Sequence, residues 1–342
     1  MGPARNPRPG RRPRPDSGPS RLTGAPQPAP RRRTGPAAIL SAPMGKTREI
    51  RIRMKAVANI RRITRTMQMI ATSKFSKAQH RATATKPYTE GVFDLVTQLG
   101  ATAGNVAHPL ITGVAGAEKK PELILVMTSD RGLCGAYNGS VLRTAMRHIR
   151  ALREQGLEIE TDLIGKKGVA FFRYNDVPVS RRLTEFGDEP RYDDVVRLAE
   201  GYMERFTKGE ISRVSLIYMR FISAGRQRPE ALQLLPLKAP EKPAAADEET
   251  SAEGGYNVIY EFSPDPEELL NQLLPEAVKS TLFQAMNDSI VSEHIARMVA
   301  MKSATDNAAK MGKLLTRQYN RARQAQITTE LTEIVTGAAA LE

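Results

Sequence analysis

Apolar residues recur every three or four positions near both ends of this chain. Ile50, Met54, Val57, Ile60, Ile63, Met67 and Ile70 form one such series. Val291, Ile295, Met298, Met301, Ala304, Ala308, Met311, Leu315, Tyr319 and Ala322 form the other. This spacing places a stripe on one face of a helix. Neither helix alone can hide its stripe, so the two are expected to hide each other as a coiled coil. The first helix is predicted over residues 46–86, about 60 Å long, with Pro87 kinking or ending it. A second helical stretch should follow from Tyr88 to Thr102. The last helix carries a start signal: Asp265 can cap, Pro266 suits the first helical position, and Glu268 sits three residues on. Pro275 should close that opening segment. Glu276 to Thr336 then has no Pro and a single interior Gly, Gly312, predicting about 90 Å of helix. Roughly 30 Å of it should run past the end of the first helix.

Between the ends the period changes. Glu122 to Thr128 is a continuous apolar run, as expected of a strand buried on both faces. Further strands are predicted at Leu157–Ile164, Val177–Leu183 and Val214–Phe221. Helices at Asn138–Glu154, Lys167–Tyr174 and Tyr192–Thr207 alternate with them. This order argues for a small, mostly parallel α/β unit. Leu232–Leu237 and Tyr256–Phe262 read as a strand pair joined by a polar, flexible loop, residues 238–255. The fold class is therefore α/β: an antiparallel coiled coil of the N- and C-terminal helices plus an α/β middle domain. The expected divisions are 1–43, 44–105, 106–262 and 263–342.

Charge changes the picture at the N-terminus. The chain of 342 residues has a formal net charge of +14. Residues 1–43 hold nine Arg, no Lys, eleven Pro and one acid, Asp16. They should be disordered, because they have little apolar surface to bury. An extension before a start at Met44, a basic targeting peptide and an anion-binding arm are all compatible with this tail. The single cysteine, Cys134, allows no disulfide within the chain and fits a reducing compartment. No apolar run approaches the roughly 20 residues that span a bilayer, so membrane association is expected only through partners.

The first helix carries twelve cations between Lys46 and Lys86, Arg61, Arg62 and Arg65 among them, against Glu49 as the one acid. Like charges three or four apart destabilise a helix, which points to an acidic partner surface. Nucleic acid is an alternative partner, but Phe75 and Tyr88 are the only stacking residues nearby. The Ser129–Gly135 loop follows a buried strand, yet it has neither a P-loop nor a G-x-G-x-x-G pattern. Cys134 reads as a packing residue and His294 as an interface residue, with no metal-ligand spacing around it. Asp193 and Asp194 sit at a helix start, where the dipole favours them. A basic coiled-coil nucleic-acid binder and an α/β enzyme with helical arms are the competing readings.

Four separated blocks carry a more specific signal. Ile63-Thr-Arg-Thr-Met-Gln-Met-Ile-Ala-Thr-Ser-Lys74 resembles the N-terminal helix of the gamma subunit of F-type ATP synthase. Thr128 to Asn138 resembles the first strand-loop of that family's middle domain, which is Rossmann-like. Ser292 to Asn307 resembles its C-terminal helix, and Ile327 to Ala340 its end signature, with Glu330 and Glu333 at the expected spacing. The resemblance covers about 44–342 and implies a central rotor shaft that couples proton flow to ATP synthesis in the beta subunits. It implies no catalytic site and no cofactor in this chain. Implied partners are the alpha and beta subunits, the epsilon subunit and the membrane-embedded c-subunit ring. By the same resemblance, Arg323, Gln324, Thr328 and Glu330 match a polar band that engages a beta loop. Met67 matches the place where the N-terminal helix meets beta's acidic lower loop. The implied location is the inner, cytoplasmic face of a bacterial membrane, with an organellar inner membrane as the alternative. The lone cysteine argues against the redox-regulated plastid type.

Overall fold

The computed structural model describes residues 44–102, 108–237 and 266–341. Two long helices dominate: α1, Met44–Thr102, and α6, Pro266–Ala339, of 59 and 74 residues. Between them lie α2 (Pro109–Thr112), β1 (Glu122–Met127), α3 (Tyr137–Glu154), β2 (Ile159–Ile164) and α4 (Lys166–Tyr174). Then come β3 (Arg181–Leu183), α5 (Tyr192–Thr207), β4 (Arg213–Ser223) and β5 (Arg226–Leu235). The sheet order is β3-β2-β1-β4-β5. The first four strands are parallel, and β5 returns antiparallel to β4. The expected partner of this last stretch, residues 256–262, lies outside the described residues, as do the tail and the 238–255 loop.

Every residue of the central strand β1 is buried, and its alternate side chains feed two cores. Ile124 and Val126 pack with Val141, Ala145 and Ile149 of α3 and Phe172 of α4. Leu123, Leu125 and Met127 pack with Val195, Tyr202 and Phe206 of α5 and with Leu270, Leu274 and Val278 of α6. The continuous apolar run of the sequence thus has the physical cause expected: helices cover both faces.

Neither proline interrupts its helix. α1 runs through Pro87 and α6 through Pro275. In each case the residue four positions earlier, Thr83 or Asn271, is exposed, so water can reach the carbonyl that the proline leaves unbonded. The neighbouring turns are pinned from the other side. Thr85 Oγ1 donates to Gln284 Oε1 of α6 at 2.7 Å, and Leu274, Ala277 and Val278 are fully buried. Tertiary contacts override the local break.

Candidate functional site

The two long helices pair antiparallel. Thr305 Oγ1 meets Thr64 Oγ1 at 2.8 Å, Arg51 Nη2 donates to Tyr319 Oη at 2.7 Å, and Thr47 Oγ1 lies 3.1 Å from Gln326 Oε1. The protected positions on α1 follow Ile50, Met54, Val57, Thr64, Gln68, Ala71, Phe75, Ala78 and Ala82, the alternating three-and-four spacing of a heptad seam. On α6 they follow Met298, Met301, Thr305, Ala308, Gly312, Leu315, Tyr319, Ala322 and Gln326. The expected stripe departs from this seam in the middle. After Val57 it steps by three to Ile60 and Ile63, which turns it away from α6. Ile60, Ile63 and Ile70 are each more than half exposed, and so is Met311. Thr64 and Gly312 occupy the inner positions instead. The shaft therefore shows apolar side chains outward where its own seam is small and polar.

The sequence-derived candidates fall into two bands. Met67 is half-buried at the seam's edge, and Arg61, Arg62 and Arg65 are exposed. None of these three arginines makes an ion pair among the described residues. Arg323, Gln324, Thr328, Glu330 and Glu333 are all exposed near the tip. Gln326 Nε2 donates to Glu330 Oε1 at 2.8 Å, and Thr328 Oγ1 to the Gln324 carbonyl at 3.0 Å. With Thr64 level with Thr305, Met67 lies beside residue 302, about 30 Å along the axis from Arg323. The bands are separate stretches of one rod. Past Gln326, residues 327–341 are exposed, and the helix to Ala339 adds about 20 Å of unpaired rod. This is shorter than the sequence suggested, because α1 runs on through Pro87 to Thr102 beside the base of α6, while its start still bonds Gln326 from Thr47.

A third zone escaped the sequence reading: the junction of shaft and sheet. In doubly wound α/β folds the crevice at the C-terminal ends of the strands is the usual ligand site. Here α6 crosses it. Ser289 Oγ donates to Met127 Sδ at 3.6 Å, Ser292 Oγ to the Met219 carbonyl at 3.2 Å, and the Phe221 N–H to Asp288 Oδ2 at 3.3 Å. The loop after β1 is drawn tight by Asn138, whose Nδ2 donates to Ser129 Oγ at 2.7 Å and to Cys134 Sγ at 3.1 Å. Cys134 is buried, as a packing residue should be. Gly165, at φ +89°, lies so close to the Thr128 carbonyl that a Cβ would come within 2.2 Å of its oxygen.

The junction is rich in buried charge. Glu293 Oε1 pairs with Arg297 Nη2 at 2.5 Å, and both are nearly buried. Burial raises the Glu293 carboxyl above its ordinary range, against the pull of Arg297. Burial pushes Asp288 up to about 6, against the Phe221 N–H and Gln284. Burial lowers His294 to about 4, only partly opposed by Asp188. Lys74 of α1 reaches across to Asp188, in the loop before α5. Burial favours the neutral Asp188, but the Lys74 ammonium wins and holds the carboxyl below its usual range. An acid and a base four apart inside an apolar stretch, Glu293 and Arg297, was the one sequence signal that could have exposed this cluster.

A sequence model of the family described as ATP synthase matches residues 46–341. The ATP synthase gamma chain of Rhodopirellula baltica is 41% identical over 306 residues, covering 87% of this chain and 100% of that one. The gamma chain of Leptospira biflexa is 40% identical over 305 residues, with the same coverage. The fold is similar to a chain in the rotor of the Euglena gracilis mitochondrial ATP synthase, at TM-score 0.55 and 19% identity, covering 83% of this chain and 99% of that one. With a family match along residues 46–341 and relatives matched over their whole length, the chain belongs to the ATP synthase gamma chain family.

Proposed function

We propose that this chain is the central rotor shaft of a rotary ATP synthase, coupling proton flow through a membrane sector to ATP synthesis in the beta subunits. The observation that carries this reading is the single continuous helix α6. It begins in the sheet's core, crosses the strand ends, pairs with α1 and runs on bare to the tip. Such an element can carry rotation from one end of the protein to the other. In this reading, residues 44–105 and 263–342 form the shaft, and 106–262 form a foot on the c-subunit ring and the epsilon subunit. Alpha and beta subunits surround the shaft. Met67 and the cationic Arg61, Arg62 and Arg65 face beta's acidic loop, while Arg323, Gln324, Thr328, Glu330 and Glu333 face a second beta loop near the tip.

Exposed ion pairs are worth about 0–1 kcal/mol each, which suits contacts that must form and break at every step. The chain has no catalytic site of its own in this reading, because α6 crosses the crevice where an α/β sheet would hold a substrate and leaves a cavity of about 40 Å³ there. Nucleic acid is not a partner. No described helix is long and apolar enough to cross a membrane, and attachment to the cytoplasmic face of a bacterial membrane runs through the c-ring. Affinity purification of the tagged chain from membranes tests this: alpha, beta and c subunits should co-purify. A preparation that contains none of them overturns the reading.

A further inference from the structure

Besides the bonds from α6 to Met127, Met219 and Phe221, two charged grips join the shaft to the loops around the sheet, one from each helix of the coiled coil. On α1, Lys74 pairs with the Asp188 carboxylate. Two turns along, Arg81 Nη2 lies 3.3 Å from the Asp188 carbonyl and 3.6 Å from Glu189 Oε1. On α6, Arg297 donates to the Arg131 carbonyl at 3.3 Å and the Gly132 carbonyl at 3.5 Å, with its charge balanced by Glu293. Thus α1 holds the loop before α5, and α6 holds the loop after β1. Between the grips is a cavity of about 40 Å³, lined in part by Met127, Ile164, Phe186 and Met286, so this part of the junction is not closed by packing alone. Apolar burial is non-directional and tolerates sliding. Charge-assisted hydrogen bonds have defined distances and angles and resist it.

We propose that these two grips form a torsional clamp between foot and shaft, with Lys74 and Asp188 as positioning residues for torque transfer. The proposal rests on the rotor reading above. Twisting the coiled coil against the sheet moves α1 and α6 in opposite directions past the two loops, so each grip is loaded by either sense of rotation. The grips share the load with the apolar contacts that root α6 in the core, so loss of one should lower the torsional stiffness of the foot-to-tip connection without abolishing it. Opposite charges at Lys74 and Asp188 are what matters, so exchanging them should restore the grip.

The test uses the assembled membrane complex carrying Lys74→Asp, Asp188→Lys or both together. Torsional stiffness is read from single-molecule rotation with the foot held, beside the protons pumped per ATP hydrolysed. Each single substitution should lower stiffness below the wild-type value and reduce pumping per ATP, and the exchange should recover both. Unchanged stiffness in the single variants, or singles and exchange equally soft, overturns the clamp. Arg81→Gln removes only a half-exposed arm and should fold even where Lys74→Asp does not. It should give a smaller loss of stiffness, and wild-type stiffness in Arg81→Gln complexes counts against the clamp when the Lys74 variants fail to assemble. A wild-type chain that does not rotate within an alpha–beta ring removes the rotor reading itself, whereas normal wild-type rotation with unaltered variants removes the clamp alone.

Discussion

Asp288→Asn should change how the stability of this protein depends on pH. Asp288 is 8% exposed at the place where α6 crosses the end of β4. Its carboxylate accepts hydrogen bonds from the Phe221 N–H and from Gln284. Arg220 and Lys86 also favour its charged form, yet burial dominates and raises the value from 3.8 to about 6. The folded chain therefore binds this proton more tightly than the unfolded chain. The contribution of Asp288 is complete below 3.8, falls as the pH rises towards 6, and is lost above it. At about 1.36 kcal/mol per unit the full change is on the order of 3 kcal/mol. His294 opposes it. Its value falls from 6.5 to about 4 through burial, so its contribution is complete above 6.5 and is lost as the pH falls through 4. The two nearly cancel over the same window. In the variant the histidine is unopposed, and on acidification from pH 6.5 to 4 stability should fall by about 3 kcal/mol more than in the wild type. Urea titrations of wild type and variant at half-unit pH steps measure this. A difference between the two that stays constant across pH 4 to 7 would refute the argument.

Other substitutions probe the rest of the molecule. Arg323→Glu leaves the melting temperature of the isolated chain within about a degree, because the side chain is exposed, but lowers coupled ATP synthesis in membrane vesicles; unchanged synthesis would remove Arg323 from the proposed contact band. Gly165→Ala costs about 2–4 kcal/mol in chemical denaturation, since the Cβ meets a backbone oxygen and φ is positive. Leu315→Ala opens a seam position that is 8% exposed and should cost about 2–3 kcal/mol. Removing residues 327–342 should leave thermal unfolding unaltered, since residues 327–341 are exposed.

Regular elements were legible wherever one period ruled. The run from Glu122 to Met127 reads as a doubly covered strand and forms one, and Tyr192–Thr207 starts and stops where its acids and apolar residues place it. The shaft was legible as a pair of stripes but not as a register. Thr64 and Gln68 look like surface residues until Thr305 supplies a hydrogen bond across the helices, while Ile60 and Ile63 look like seam residues and face outward. Pro87 and Pro275 read as breaks because the cost of a lost backbone bond is local, whereas the packing that offsets it comes from distant segments. The junction was the least visible. Lys74 and Asp188 are 114 residues apart, and no periodicity links a helix cation to an acid in a loop.

The misplaced isoleucines bear on mechanism more than a well-filled seam would. A coiled coil built for its own stability directs its largest apolar side chains inward. Between Val57 and Ala71 this one keeps Thr64 and Gln68 at the seam and shows Ile60, Ile63, Met69 and Ile70 to the outside. Burying a side chain of that size is worth about 1.5–3 kcal/mol, and the isolated chain forgoes it. The arrangement becomes favourable when another surface covers the rod, and the cations of Arg61, Arg62 and Arg65 on the same stretch favour an acidic one. A shaft held mainly by its own seam would gain little from the ring around it. One that keeps apolar and basic groups on its outer surface gains contacts when another surface covers it.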